Sequence, residues 1–133
     1  MALTVEVSVG ELLDKITILE IKSERIADRA KLANVGTELR TLRATWAASP
    51  LSGRDVSDQV RRLKAINEKL WEIEDGIRKL EAEGSFGDEF VALARAVYFS
   101  NDERAAIKRE LNTMLGSRLV EEKSYTDYGK GRS

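Results

Sequence analysis

Residues 8–26 read SVGELLDKITILEIKSERI, and the spacing within them decides the fold class. Ser8 and Glu11 form the Ser-x-x-Glu pair of a capping box, in which the hydroxyl accepts from the N–H three residues on and the carboxylate reaches back. Beyond it, Leu12, Ile16, Leu19, Ser23, Ile26, Ala30 and Ala33 recur at spacings of four and three. That is a heptad seam with one polar interruption at Ser23. Residues 34–36 could bend or end this helix, but Val35, Leu39, Leu42 and Trp46 keep the spacing, so it is expected to run on towards Ala48. Upstream, Val5, Val7 and Val9 alternate with Thr4, Glu6 and Ser8, the period-two pattern of a short strand within residues 1–9.

The clearest break in the chain is residues 48–53, ASPLSG, which hold its one proline. The residue before a proline avoids helical angles. A second long helix should start near Asp55 or Ser57, with Leu63, Ile66, Leu70, Ile73, Ile77 and Leu80 on its apolar face and Gly84 at its end. Two shorter helices should follow. Phe86, Phe90, Leu93, Ala94 and Val97 face inward on one. Ser100 and Glu103 repeat the capping signature to open the other, which carries Ile107, Leu111, Met114 and Leu115 and stops at Gly116. The expected fold is all-α, an antiparallel long-helix hairpin plus two shorter helices in a bundle. It forms one domain over residues 1–133, with a short N-terminal strand as an option and a loose tail over 124–133. Residues 119–125 would run extended and pair with the strand.

The composition bounds the chemistry. The 133 residues carry Lys+Arg 22 against Asp+Glu 23, with no His and no Cys. A chain of this length hides roughly two-thirds of its unfolded surface, enough for a core without disulfides or metal. Without His or Cys there is no Ser-His or Cys-His nucleophile pair and no ordinary zinc site. A net charge of −1 argues against a nucleic-acid coat. No apolar run approaches the ~18 residues of a membrane span, and no signal peptide is evident, so membrane insertion is not expected and the location read is cytoplasmic. Basic residues gather between residues 39 and 67 (Arg40, Arg43, Arg54, Arg61, Arg62, Lys64) and acids between 68 and 89. In a hairpin the basic group would cluster at the connecting tip, where it could meet an anionic partner such as a phosphate, nucleic acid or membrane headgroup; no aromatics interleave it, so i,i+4 pairing on a solvated surface is the simpler account.

The informative constellation is Asn67, Leu70, Trp71, Glu74, Asp75 and Arg78. Asn67, Trp71, Glu74 and Arg78 fall at i, i+4, i+7 and i+11, one helical stripe bordering the apolar face. The first helix offers Thr17, Glu20 and Glu24 on a similar border, and the last offers Arg104, Lys108 and Asn112, with Arg118 beyond. If the stripes meet, a polar layer crosses the bundle. It would either fix helix register through Glu74–Arg78 and Glu20/Glu24–Lys108 pairs, or bind a carboxylate or phosphate metabolite. In the second case Asn67, Trp71, Arg78, Arg104, Lys108, Asn112 and Arg118 are the ligand-binding candidates, and Glu20, Glu24 and Glu74 are candidate acid/base groups. No cofactor or metal is expected, Mg²⁺ entering only under that second reading.

Residues 7–26, 67–78 and 116–125 resemble the marked blocks of a family of small bacterial helical proteins, a domain of unknown function. Asn67, Leu70-Trp71, Glu74-Asp75 and Arg78, followed by Lys108-Arg109 and Asn112, are also similar to a second uncharacterised helical family. Members of both are often encoded near envelope-polysaccharide glycosyltransferases, so the resemblance implies a cellular context and no activity. Two all-helical enzyme classes fit less well. The chorismate mutase pattern wants a Gln in the last helix, whereas the one Gln here is Gln59. The nucleotide pyrophosphohydrolase pattern wants two acid pairs, of which Glu72 and Asp75 give half. The expected role is therefore an association module rather than an enzyme, self-associating, most simply as a dimer, or meeting a protein partner. The warrant is a first-helix seam longer than a chain this size can bury alone.

Overall fold

A computed structural model describes residues 1–128. Helix α1 (Val9–Arg25) starts where the capping box places it, Ser8 Oγ accepting from the Glu11 N–H at 3.2 Å. The Glu11 carboxylate does not reach back; it goes to Lys108. The seam then breaks at residues 26–28, eight residues before the expected bend. Ser23 turns its hydroxyl onto the Glu20 carbonyl at 2.6 Å, and Ile26 is extended. Asp28 caps a new helix by accepting from the Lys31 N–H at 3.1 Å. Helix α2 (Arg29–Ala48) packs back against α1, with Leu39 buried and Val35, Leu42 and Trp46 against the core. Folding the seam onto itself buries Ile16 and Leu19 within the chain, which removes the overlong seam as a reason for association.

A 3₁₀ turn over Pro50–Gly53 leads into α3 (Ser57–Glu83), which ends at Gly84 in the left-handed region (φ 68°). There the chain reverses into α4 (Asp88–Leu115), ended by Gly116 at φ 63°. The two short helices expected over residues 86–115 are one helix. No Gly or Pro interrupts Asp88–Leu115, so nothing forces the start that the Ser100–Glu103 pair suggested. Ser100 lies buried mid-helix, its hydroxyl without a partner among the described residues.

The architecture is all-helical, a long α3–α4 hairpin with two shorter helices against it. The hairpin is antiparallel, Arg62 meeting Glu110 near one end. The core joins Leu13, Ile16 and Leu19 of α1 and Leu39 of α2 to Leu63, Ile66, Ile107, Leu111 and Leu115 of the hairpin, with Val56 at its base. Among the described residues there is no strand. Residues 1–7 are exposed and irregular, so Val5, Val7 and Val9 pair with nothing as a sheet. Residues 119–125 are irregular too. Of the tail expected over 124–133, residues 129–133 lie outside the described part.

Candidate functional site

The polar layer exists, but its centre is a residue the spacing argument passed over. Asp14 is fully buried, at 0% exposure. Arg104 reaches it from α4 with both Nε (2.9 Å to Oδ1) and Nη2 (to Oδ2), the planar fork-to-carboxylate geometry that makes Arg pairing strong. Asn67 of α3 donates from Nδ2 to Asp14 Oδ1 at 2.8 Å and to Thr17 Oγ1 at 3.0 Å. The Thr17 hydroxyl in turn donates to the Asp14 carbonyl at 2.7 Å. Three helices are thus tied at one level by one carboxylate. The hydrogen bonds from Arg104 to Asp14 hold its guanidinium pKa above the usual arginine value, against partial desolvation. Asp14 lies off the apolar seam, between Leu12 and Ile16, and only the three-helix contact reveals it as buried.

One turn away α1 and α4 meet a second time. The Gly10 N–H donates to Asn112 Oδ1 at 2.7 Å, and a Cβ on Gly10 would lie 2.5 Å from the Lys108 carbonyl oxygen. Glycine is required here by the close approach of the two backbones. Lys108 is buried to its ammonium, which donates to Glu11 and Glu121 at 2.7 Å each. Burial works to lower the Lys108 pKa, but those two carboxylates outweigh it and raise the value above that of a free lysine. Glu121 is correspondingly lowered by its bond to Lys108.

The other predicted site residues lie apart. Glu20 pairs with Arg43 (3.3 Å) and Glu24 with Lys64 (2.7 Å), so neither meets Lys108. Arg118 is exposed and bonds Glu6. Glu74 and Arg78 form a 3.7 Å i,i+4 pair with the arginine side chain 81% exposed. They stand on the rim of an open cleft of about 450 Å³. Ile18 and Ile21 of α1 and Leu70 and Trp71 of α3 give that cleft its apolar lining, with Asn67, Asn101 and Arg104 at its inner end.

Chemically the layer is closed. Arg104 is matched by Asp14 and Lys108 by Glu11 and Glu121, so the cations proposed to hold an anion already carry carboxylates of the chain itself. Among the described residues no group of three acidic side chains converges as a metal would need. No helix there is long and apolar enough to cross a membrane. No curated protein and no solved structure matches the chain. The model of the family of unknown function DUF6165 does match, over residues 3–130, and the chain belongs to that family.

Proposed function

We propose that the protein is an association module whose cleft, between α1 and the outer half of the α3–α4 hairpin, receives the same region of a second copy. The observation that carries this is a change in burial along one hairpin. Beside α1 and α2, Leu63 and Leu111 are completely buried, at 0% exposure each. Further out, Ile73 and Leu80 are buried, but Ile77, Phe90, Leu93 and Val97 are only partly buried, each keeping some surface open to solvent. Two antiparallel helices hide only the residues between them, and flanking apolar positions need a further helix to cover them. Inside the chain α1 provides that cover as far as Ile18 and Ile21, where the cleft opens.

On α4, Val97 continues the stripe of Asn101 and Arg104, and on α3, Ile77 continues that of Leu70 and Glu74. The two stripes therefore carry apolar side chains, Val97 and Ile77, on past the cleft. The cleft's rim carries both signs, Glu74 and Asp75 beside Arg78, which suits an isologous pairing in which each copy's carboxylates face the other's guanidinium. A paired-off polar layer beneath the cleft supports the same reading, since it sets helix register and leaves little for a metabolite to bind. The context implied by the sequence resemblance adds a cytoplasmic glycan-assembly enzyme as a further partner for the same groove.

Sedimentation equilibrium over a wide concentration range tests this. The wild type should populate a dimer. Val97→Glu and Leu70→Glu should shift it to monomer while helicity by circular dichroism is kept. Val91→Glu, about a quarter-turn or more away on α4, should leave the dimer intact. A wild type that stays monomeric at every concentration sinks the proposal.

A further inference from the structure

The chain beyond Gly116 makes contacts that the association groove does not use. Residues 117–128 turn back along α4 without helix or strand. Ser117 is anchored, its N–H on the Asn112 carbonyl at 2.8 Å and its hydroxyl accepting from the Val9 N–H at 3.2 Å. Further on, Glu121 takes the Lys108 ammonium and Glu122 the Arg109 guanidinium, at 2.7 and 2.9 Å. Tyr128 then meets Tyr98 and Phe99, with ring centroids 5.2 and 4.9 Å away and the Phe99 contact edge-on. The segment lies over α4 as a strap, with acidic groups on a cationic strip and an aromatic ring on an aromatic pair.

The strap is held by side chains rather than by its own backbone ladder. Over residues 118–126 no backbone-to-backbone hydrogen bond ties it down. The Arg109–Glu122 pair is exposed on both sides, and exposed pairs contribute little. Beneath the strap lies a recess of about 300 Å³, lined by Asp102, Ala105, Ala106, Lys108, Arg109 and Asn112 of α4. The covering segment thus matches the strip in charge but not in shape.

We infer that the α4 strip of Lys108, Arg109, Tyr98 and Phe99 is a docking surface for an extended acidic segment of another protein, two adjacent carboxylates followed some six residues on by an aromatic ring, and that the strap is its resident competitor. The partner's chemistry is read from the occupant the strip already accepts. A second copy of this chain is the weaker occupant. Its own strap is already engaged at the high effective concentration of a tether, so exchange between identical copies gains no contact and adds the entropy cost of association. A foreign segment that also fills the recess makes contacts the strap lacks.

The test uses the full chain and a fluorescent peptide copying residues 117–128, SRLVEEKSYTDY, as the probe. In Glu121→Lys/Glu122→Lys the strap is repelled from the strip. Peptide anisotropy should then show binding about tenfold or more tighter than to wild type, the factor a tethered competitor withholds. Adding Arg109→Ser should weaken that binding about tenfold, and about 1 M salt, where the Debye length is about 3 Å, should weaken it further. Circular dichroism checks that each variant keeps its helices. Equal binding by wild type and the double variant, or indifference to Arg109→Ser, overturns the inference. Full-length wild type binding the double variant as tightly as the peptide does would assign the strip to strap exchange between copies, and overturns the choice of a foreign partner.

Discussion

The two halves of the α3–α4 hairpin are built from similar residues and meet different fates. In the half beside α1 and α2, apolar side chains reach zero exposure, and even the polar groups are closed off, Asp14, Thr17, Asn67, Lys108 and Asn112 all being buried. In the outer half Ile77, Leu93 and Val97 are only partly buried, and the ion pairs, Glu74–Arg78 and Asp75–Lys79, are i,i+4 contacts facing water. A hairpin seam is finished by what lies against it. The inner half is finished within the chain, and the outer half awaits cover. This division predicts where substitutions should cost stability and where they should not.

The largest effect belongs to Arg104→Met. It strands the Asp14 carboxylate at zero exposure with only the Asn67 amide donating to it. Removing one partner of a buried pair costs about 3–5 kcal/mol. For a chain of this size thermal unfolding should fall by about 10 °C or more. A melting temperature within a degree or two of wild type would mean that the layer is not the lock between α1, α3 and α4 described above.

Two glycines sharpen the contrast at intermediate cost. Gly10→Ala drives a methyl group to 2.5 Å from the Lys108 carbonyl oxygen, backbone against backbone, so the helices must part. Overpacking of that kind costs about 1–3 kcal/mol. Gly76→Ala, in the outer half, meets the Leu93 side chain at 3.1 Å, a neighbour that can rotate away. The gain in helix propensity, up to about 1 kcal/mol, should offset that adjustment. Paired thermal melts should show several degrees lost for Gly10→Ala and little change for Gly76→Ala. Equal losses would put the outer half under the same packing constraint as the inner.

The sequence carried the helical class, the Ser8 cap, the ends at Gly84 and Gly116, and the idea that polar side chains from three helices meet. Spacing alone places Thr17, Asn67 and Arg104 in that layer. What spacing cannot supply is which elements touch. The seam of residues 12–46 reads equally well as one helix or as two folded together, and Asp28, the cap that decides it, looks like any surface acid. The border stripes alone pair Glu20 and Glu24 with Lys108. Once α2 folds back, Arg43 reaches Glu20, and Lys64 of α3 meets Glu24. Asp14 was hidden because a carboxylate beside an apolar seam usually turns to solvent, and only the Arg104 fork makes its burial tolerable. Ser100 misled in the opposite sense, since its capping signature lacks the Gly or Pro that would force a helix to restart.

The smallest effect is the most diagnostic of the division. Glu74→Gln and Arg78→Met remove the two charges that the helical stripe ranked with the layer. The structure places both on the cleft rim, with exposed side chains 3.7 Å apart. An exposed i,i+4 pair contributes less than about 1 kcal/mol. In dilute protein each variant should therefore melt within a few degrees of wild type, far from the loss expected for Arg104→Met. At high concentration the expectation changes. If two copies meet across this rim, association stabilises the folded state by mass action, and the melting temperature of wild type should rise with concentration. Arg78→Met, having lost the guanidinium that faces the partner's carboxylates, should rise less. A large loss in dilute solution would place these charges in the closed inner half. A flat concentration dependence in wild type would leave the outer seam uncovered and break the comparison on which the association reading stands.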